Sequence, residues 1–230
     1  MKDSLGFPPG GLSAGGALAR PPERKAEAES PAESVERLRQ SVRGLIEVLG
    51  RMIERRDPFV AGHQRRVSDL ARAIAAEIGL SPKAVEGLGI AGQIHDLGKI
   101  AVPAEILSKP APLSALEYDL VKTHAQAGFD ILKGISFPWP VAETIHQHHE
   151  RLDGSGYPRG LRGEAIIPEA RILAVADVVE AMSAHRPFRP AHGLEAALHE
   201  INRNRGRLYD PAAAEACFRM FREKGFRFKE

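Results

Sequence analysis

Residues 81–99 read Ser81-Pro82-Lys83-Ala84-Val85-Glu86-Gly87-Leu88-Gly89-Ile90-Ala91-Gly92-Gln93-Ile94-His95-Asp96-Leu97-Gly98-Lys99. Ser81 followed by proline at the first helical position opens a helix. Val85, Leu88, Ala91 and Gly92 then fall on one stripe that leads to His95, so this histidine is expected to point inward at the helix's C-terminal end. A nitrogen ligand, a carboxylate able to bridge, and Lys99 one helical turn on make half of a metal site. The other half is His148-His149-Glu150-Arg151-Leu152-Asp153-Gly154-Ser155-Gly156-Tyr157-Pro158, because adjacent imidazoles running into a glycine-rich turn rarely serve packing. Together the two stretches point to metal-assisted hydrolysis.

The helical period extends in both directions. Val67, Leu70, Ile74 and Ile78 form one face, and Gly79 is placed to end that helix in the left-handed conformation. Ser114 and Glu117 form a capping box, with Leu116, Leu120, Val121 and His124 expected on the helix's inner face. Pro138 and Pro140 precede a helix through Val141, Ile145 and His148, and a further helix carries Ile172, Val175 and Val179 around Asp177. Strand alternation and internal repeats are not evident, so the fold class is all-α.

Residues 1–29 hold proline pairs and glycine pairs with few large apolar groups, and are expected to form a disordered tail. At Ser30-Pro31-Ala32-Glu33 a capping box starts a helix that runs to about Arg55, leaving 56–230 as the catalytic domain. Its apolar residues Val35, Leu38, Val42, Leu45, Leu49 and Met52 alternate at three and four, the narrow seam of a coiled coil. Two readings stay open: a homodimer through this helix, or a terminal helix packed on its own domain. Gly44 and Gly50 weaken the helix in isolation.

The chain has 230 residues, 43% of them hydrophobic, enough for one full core. A formal net charge of +2 gives no reason to expect a DNA- or RNA-binding surface. Cys217, the only cysteine, excludes an intrachain disulfide and a cysteine-rich zinc cluster, and fits a reducing cytoplasm. The sequence has no apolar run of membrane-spanning length, so no membrane association is expected.

His63, His95, Asp96, His124, His148, His149 and Asp177 supply five imidazoles and two carboxylates, mostly at inward-facing helix positions. Burying so many titratable groups without partners is costly, and a shared cation resolves the cost. Nitrogen and oxygen ligands without thiolate suit iron, manganese, zinc or nickel, and a set this large can hold two ions. His146, His185, His192 and His199 lack comparable partners and are read as non-ligands. Glu150 either orients an imidazole from behind or caps the following turn.

HDLGK at 95–99, HHERLDGSGYP at 148–158 and VADVVEAM around Asp177 closely resemble the HD-GYP domain, a branch of the HD metal-dependent phosphohydrolases. The resemblance runs from about Arg56 to about Phe221, taking in RDPFVAGHQRRV near its start and RLYDP at 207–211. It implies an all-α HD core and a phosphodiesterase of cyclic di-GMP, giving 5′-pGpG and then GMP, by attack of a hydroxide bridging two metals. It implies that His63, His95, Asp96 and Asp177 form the basic metal site, with Asp96 bridging, and that His124, His148 and His149 enlarge it. Iron or manganese is the expected pair of ions. Lys99 would lie beside the scissile phosphate, Arg186 and Arg189 would grip the cyclic dinucleotide, and Gly156-Tyr157-Pro158 would form a turn over the site. The chain departs from the family pattern at Phe59, where some members place a glutamate that completes a third metal position, and at Phe188, where a tyrosine is frequent. Two other functions compete with hydrolysis of cyclic di-GMP. One is an HD phosphohydrolase for another nucleotide, and the other is a cyclic di-GMP-binding module that signals to a regulatory protein partner.

Overall fold

A computed structural model of the chain describes residues 30–56, 61–184 and 193–229. The expected tail at 1–29, Phe59, His185, Arg186, Phe188, Arg189 and His192 lie outside the described residues. Among the described residues the regular structure is helical, and β pairing is confined to two isolated bridges, Asp153 with Arg162 and Arg205 with Tyr209.

Helix α1 (Pro31–Arg56) starts on a capping box: the Ser30 hydroxyl accepts from the Glu33 N–H, and the Glu33 carboxylate accepts from the Ser30 N–H. The chain divides within this helix into two compact units, Met1–Leu38 and Arg39–Glu230, and the second carries the remaining helices. Its stretch of α1 bears two apolar stripes. Ile46, Gly50 and Ile53 are buried, whereas Val42, Leu45, Leu49 and Met52 are exposed.

Helix α2 (His63–Ile78) buries Val67, Leu70 and Ile74, then stops at Gly79, whose φ of 90° is the left-handed cap expected from the sequence. Helix α3 (Pro82–Ile94) starts with the Ser81 hydroxyl accepting from Ala84 N–H. The two helices pack closely because Gly92 has no Cβ; one there would lie 2.7 Å from the Ser68 Cα. A 3-10 turn (Leu97–Ala101) follows the His95-Asp96 pair, and α4 (Ala104–Leu107) leads to α5 (Ala115–Lys122), α6 (His124–Leu132) and α7 (Val141–Gln147). Helix α8 (Pro168–Ser183) runs through the centre, with residues 172–177, Val179 and Glu180 all buried, which explains its nearly continuous apolar sequence. Helices α9 (Leu194–Arg203) and α10 (Pro211–Arg222) complete the domain, and the Asp210 carboxylate caps α10.

The expectation for Leu116 and Leu120 is overturned: both are exposed, and Val121 is only half-buried. Helix α5 ends at Lys122 and α6 starts anew at His124. The break at Thr123 resets the helical phase, so the inward position of His124 says nothing about residues four and eight places before it.

Glycines sort by what surrounds them. A Cβ on Gly98 would lie 1.9 Å from the His124 carbonyl oxygen and 2.5 Å from the Gly128 nitrogen, whereas nothing lies within 4 Å of one on Gly44. Gly98→Ala is therefore expected to destabilise the domain at or above the upper end of the ~1–3 kcal/mol cost of overpacking. Gly44→Ala, on an exposed helix surface, should stabilise by about 0.5–1 kcal/mol. Urea unfolding of both variants checks the pair.

Candidate metal centre

Every predicted ligand among the described residues converges on one buried space. His63 is the first residue of α2, His95 and Asp96 follow α3, His124 opens α6, His148 and His149 follow α7, and Asp177 lies within α8. All are buried except His149, which is half-buried. Three overlapping groups have ligand atoms within 4.8 Å of one another: His63, His95 and Asp177; His124, His148 and His149; and, joining these two, His95, Asp96 and His148. Asp96 thus stands between the first two. Its Oδ2 is 3.5 Å from His95 Nε2 and 3.8 Å from His63 Nε2, while its Oδ1 is 3.5 Å from His124 Nε2.

The imidazoles are aimed by hydrogen bonds on their far side. Nδ1 of His95 lies 2.9 Å from the Gly92 carbonyl oxygen, Nδ1 of His124 2.6 Å from that of Val121, and Nδ1 of His148 2.6 Å from that of Ile145. A carbonyl only accepts, so each Nδ1 carries the proton and each Nε2 presents a lone pair to the centre. His63 is held differently, with its Nδ1 donating to the Glu180 carboxylate, which also takes a 2.7 Å hydrogen bond from Arg66 Nε. The His149 ring is stacked on Tyr157, 4.6 Å between centroids.

This donor set fits a cation. Nε2 of His124 and Nε2 of His148 face each other at 3.5 Å, and both are lone-pair acceptors once their Nδ1 protons are fixed. Two such nitrogens repel unless a positive charge lies between them. Burial, followed by the neighbouring His95 and His124, holds His148 well below the usual histidine range, and burial with His148 and His124 does the same for His149. Neutral imidazole is the form that binds a metal. Burial alone would raise the Asp96 carboxyl, but Lys99, then His95, His124 and His63, outweigh it and keep it well below the usual carboxylate range. At His63 burial opposes the charged form, yet the hydrogen bond and charge of Glu180, with Asp177 and Asp96, raise its pKa.

Lys99 lies on this carboxylate, its Nζ 2.9 Å from Asp96 Oδ2. His146, read as a non-ligand, is buried away from the two groups, bonded to Gln126 at 2.8 Å and stacked on Phe129, and His199 is exposed.

The motif loop decides an open choice. Of the two readings of Glu150 the capping one fits its contacts among the described residues: its oxygens accept from the Arg159 N–H at 2.7 Å and the Leu161 N–H at 2.9 Å. Gly156 is required by proximity: its φ is not positive, and a Cβ would lie 2.4 Å from the His149 carbonyl oxygen. The left-handed glycine in this loop is Gly154, with φ of 80°. Asp153 accepts from Ser155 and pairs with Arg207 at 3.2 Å, while the Leu152 N–H donates to the Leu208 carbonyl, tying RLYDP to the motif. Tyr157 and Pro158 join through a cis peptide.

Sequence reading missed Glu180, Arg66 and Gln64, whose Nε2 donates to Asp96 Oδ2 at 3.0 Å. A signal was present: Glu180 follows Asp177 by three residues and Arg66 follows His63 by three, spacings that put each pair on one helix face.

The chain belongs to the HD domain family, whose model matches residues 47–213. It is 40% identical over 188 residues to the cyclic di-GMP phosphodiesterase response regulator RpfG of Xanthomonas campestris pv. campestris, covering 81% of this chain and 50% of that protein. It is also 40% identical over 181 residues to a cyclic di-GMP phosphodiesterase of Thermotoga maritima, covering 78% of this chain and 49% of that one. The chain thus spans about half the length of the curated relatives it matches. Its fold resembles that of an HDG"Y"P protein from Bdellovibrio bacteriovorus, with a TM-score of 0.59 and 21% identity, over 70% of this chain and 52% of that one.

Because Glu180 fixes both the proton and the orientation of His63, Glu180→Ala is expected to weaken Mn(II) binding by about 10–100-fold. Glu180→Gln keeps an acceptor for the imidazole and should lose less. Titration of the apo protein with Mn(II) checks the order.

Proposed function

We propose that residues 56–230 form a metal-dependent phosphodiesterase domain acting on cyclic di-GMP. The observation that carries this reading is the pair of three-ligand groups with the Asp96 carboxylate between them. His63, His95 and Asp177 would hold one divalent ion, His124, His148 and His149 the other, with Asp96 shared. Iron or manganese is the pair that the HD-GYP resemblance implies, and the nitrogen and oxygen donors suit zinc and nickel as well. Bound there, the ions would supply charge to neutralise the phosphate and lower the pKa of water toward neutrality.

The chain's own residues bind and orient. Lys99, beside Asp96, is placed to offset negative charge developing on the phosphoryl oxygens. Arg186 and Arg189 are proposed to hold the dinucleotide through phosphate or guanine. Water attacks phosphorus in line, the bond to the ribose 3′ oxygen breaks, and that oxygen leaves as a hydroxyl. The product is 5′-pGpG, and a second hydrolysis gives GMP. The two relatives named as cyclic di-GMP phosphodiesterases support this substrate. The lone, buried Cys217 suits a reducing cytoplasm, and among the described residues no helix is long and apolar enough to cross a membrane.

A homodimer through α1 belongs to the same reading. The helix already spends Ile46, Gly50 and Ile53 on its own domain, yet Val42, Leu45, Leu49 and Met52 remain exposed at three-four spacing. Val35 and Leu38 continue that spacing in the sequence. With Val42 at one seam position and Leu45 at the next, the pattern suits two parallel strands. A regulatory partner protein would compete for the same stripe.

Purified protein loaded with Mn(II) or Fe(II) is expected to convert cyclic di-GMP to pGpG on chromatography. Asp96→Ala should lower turnover by more than about 100-fold, beyond what loss of a mere supporting group costs, and lower metal content with it. Near-normal turnover with two metals per chain would rule the centre out.

The doubly substituted Leu45→Glu/Leu49→Glu protein should be monomeric by light scattering at micromolar concentration while keeping its fold, since both side chains are exposed in the single chain. A wild-type monomer under the same conditions would refute the dimer.

A further inference from the structure

Gln64 occupies a position that the proposed chemistry leaves unassigned. It is buried in the first turn of α2, beside His63, and its amide nitrogen lies 3.0 Å from Asp96 Oδ2. The orientation of the amide follows from chemistry, because a carboxylate and an amide oxygen both accept and would repel at that distance. The nitrogen must therefore face Asp96. As a result the amide oxygen, Oε1, is buried with no hydrogen-bond partner among the described residues. A glutamine placed only to fill space would satisfy both ends or be replaced by an apolar side chain of like shape. Here the contact with Asp96 sets the geometry at the expense of the other end.

The carboxylate needs such a hold. Its two oxygens face different ligand groups, Oδ2 toward His63 and His95 and Oδ1 toward His124. Rotation about its last side-chain bond by less than a half turn would swing both oxygens away from these groups. Lys99 also bonds Oδ2, but through a flexible stem. Gln64 has a shorter stem that springs from the first turn of α2, and the residue is buried, 2% exposed.

We infer that Gln64 is a positioning residue: it locks the rotation of the Asp96 carboxylate so that one oxygen serves each metal-binding group. This rests on the metal-centre reading above. The test uses the full chain, apo protein titrated with Mn(II), and cyclic di-GMP turnover. Gln64→Leu, which keeps the volume and removes the donor, should weaken Mn(II) binding by about 10–100-fold. At saturating Mn(II) its kcat should fall about tenfold while KM stays within about twofold. Ser68→Ala on the same helix serves as the comparison, since it removes a buried 2.7 Å hydrogen bond to the Gly89 carbonyl without touching Asp96. It should lower the melting temperature and leave Mn(II) affinity as in the wild type. Equal Mn(II) affinity in Gln64→Leu and wild type overturns the inference, as does an equal loss in Gln64→Leu and Ser68→Ala. If Gln64→Leu fails to fold, Gln64→Asn is judged by the same criteria. A wild-type protein that binds no Mn(II) instead overturns the metal-centre reading, and this inference with it.

Discussion

The constraint on which the rest depends is the convergence of lone pairs in one largely buried space. His63, His95, His124 and His148 each have Nδ1 committed to an acceptor, so their Nε2 atoms present electron density inward, beside the carboxylates of Asp96 and Asp177. Such an array is stable only around positive charge. Lys99 supplies one cation within reach, at 2.9 Å from Asp96, yet it lies against one carboxylate oxygen and does not separate the His124 and His148 nitrogens. The chemistry of the domain begins from that unmet demand.

The hydrogen bonds that aim these rings also complete the helices that carry them. Gly92, Val121 and Ile145 contribute carbonyl groups from the last turns of α3, α5 and α7, where the regular helical partners run out; that of Val121 also accepts from the Thr123 N–H. His95, His124 and His148 each follow such an end by one or two residues and donate back three residues to it. One hydrogen bond thus serves a helix-end carbonyl, fixes the tautomer and orients the imidazole. A histidine just past a helix end is cheap to position in this way. The Nδ1 of His63 bonds the Glu180 carboxylate instead of a helix-end carbonyl, and the Glu180–Arg66 pair takes over that role.

This difference explains what could be read in the sequence. Periodicity and caps located α1, α2 and α3 and the inward face of α8, because Ser30, Gly79 and Ser81 carry local signals that packing does not override. The clustered histidines and aspartates were legible as a group because imidazole and carboxylate are rare on apolar stripes. Their supports were not, since Glu180, Arg66 and Gln64 are ordinary charged or polar residues whose meaning depends on which helices touch. Leu116 and Leu120 failed for a related reason: one stripe was extended through Thr123, where the backbone starts a new helix. No property of those two residues themselves marks the break.

The motif loop shows how far a sequence signature can consist of scaffolding. Of residues 150–158, Glu150 closes the loop on two backbone N–H groups, Asp153 binds Ser155 and Arg207, and Gly156 is small because the His149 carbonyl leaves no room. Tyr157 touches two of the clustered histidines, stacking on His149 and meeting His124 edge-on at 6.4 Å. Burial pushes its hydroxyl's pKa upward, so it stays neutral and adds no charge beside the imidazoles. His149 has the weakest fixing among the five clustered histidines, with a ring contact where the others have a hydrogen bond at Nδ1. A loop held at both ends, by Glu150 within itself and by the Leu152–Leu208 bond to RLYDP, keeps that ring contact in place. The signature is therefore long because orienting one half-buried imidazole by stacking takes more residues than orienting a buried one by a single carbonyl.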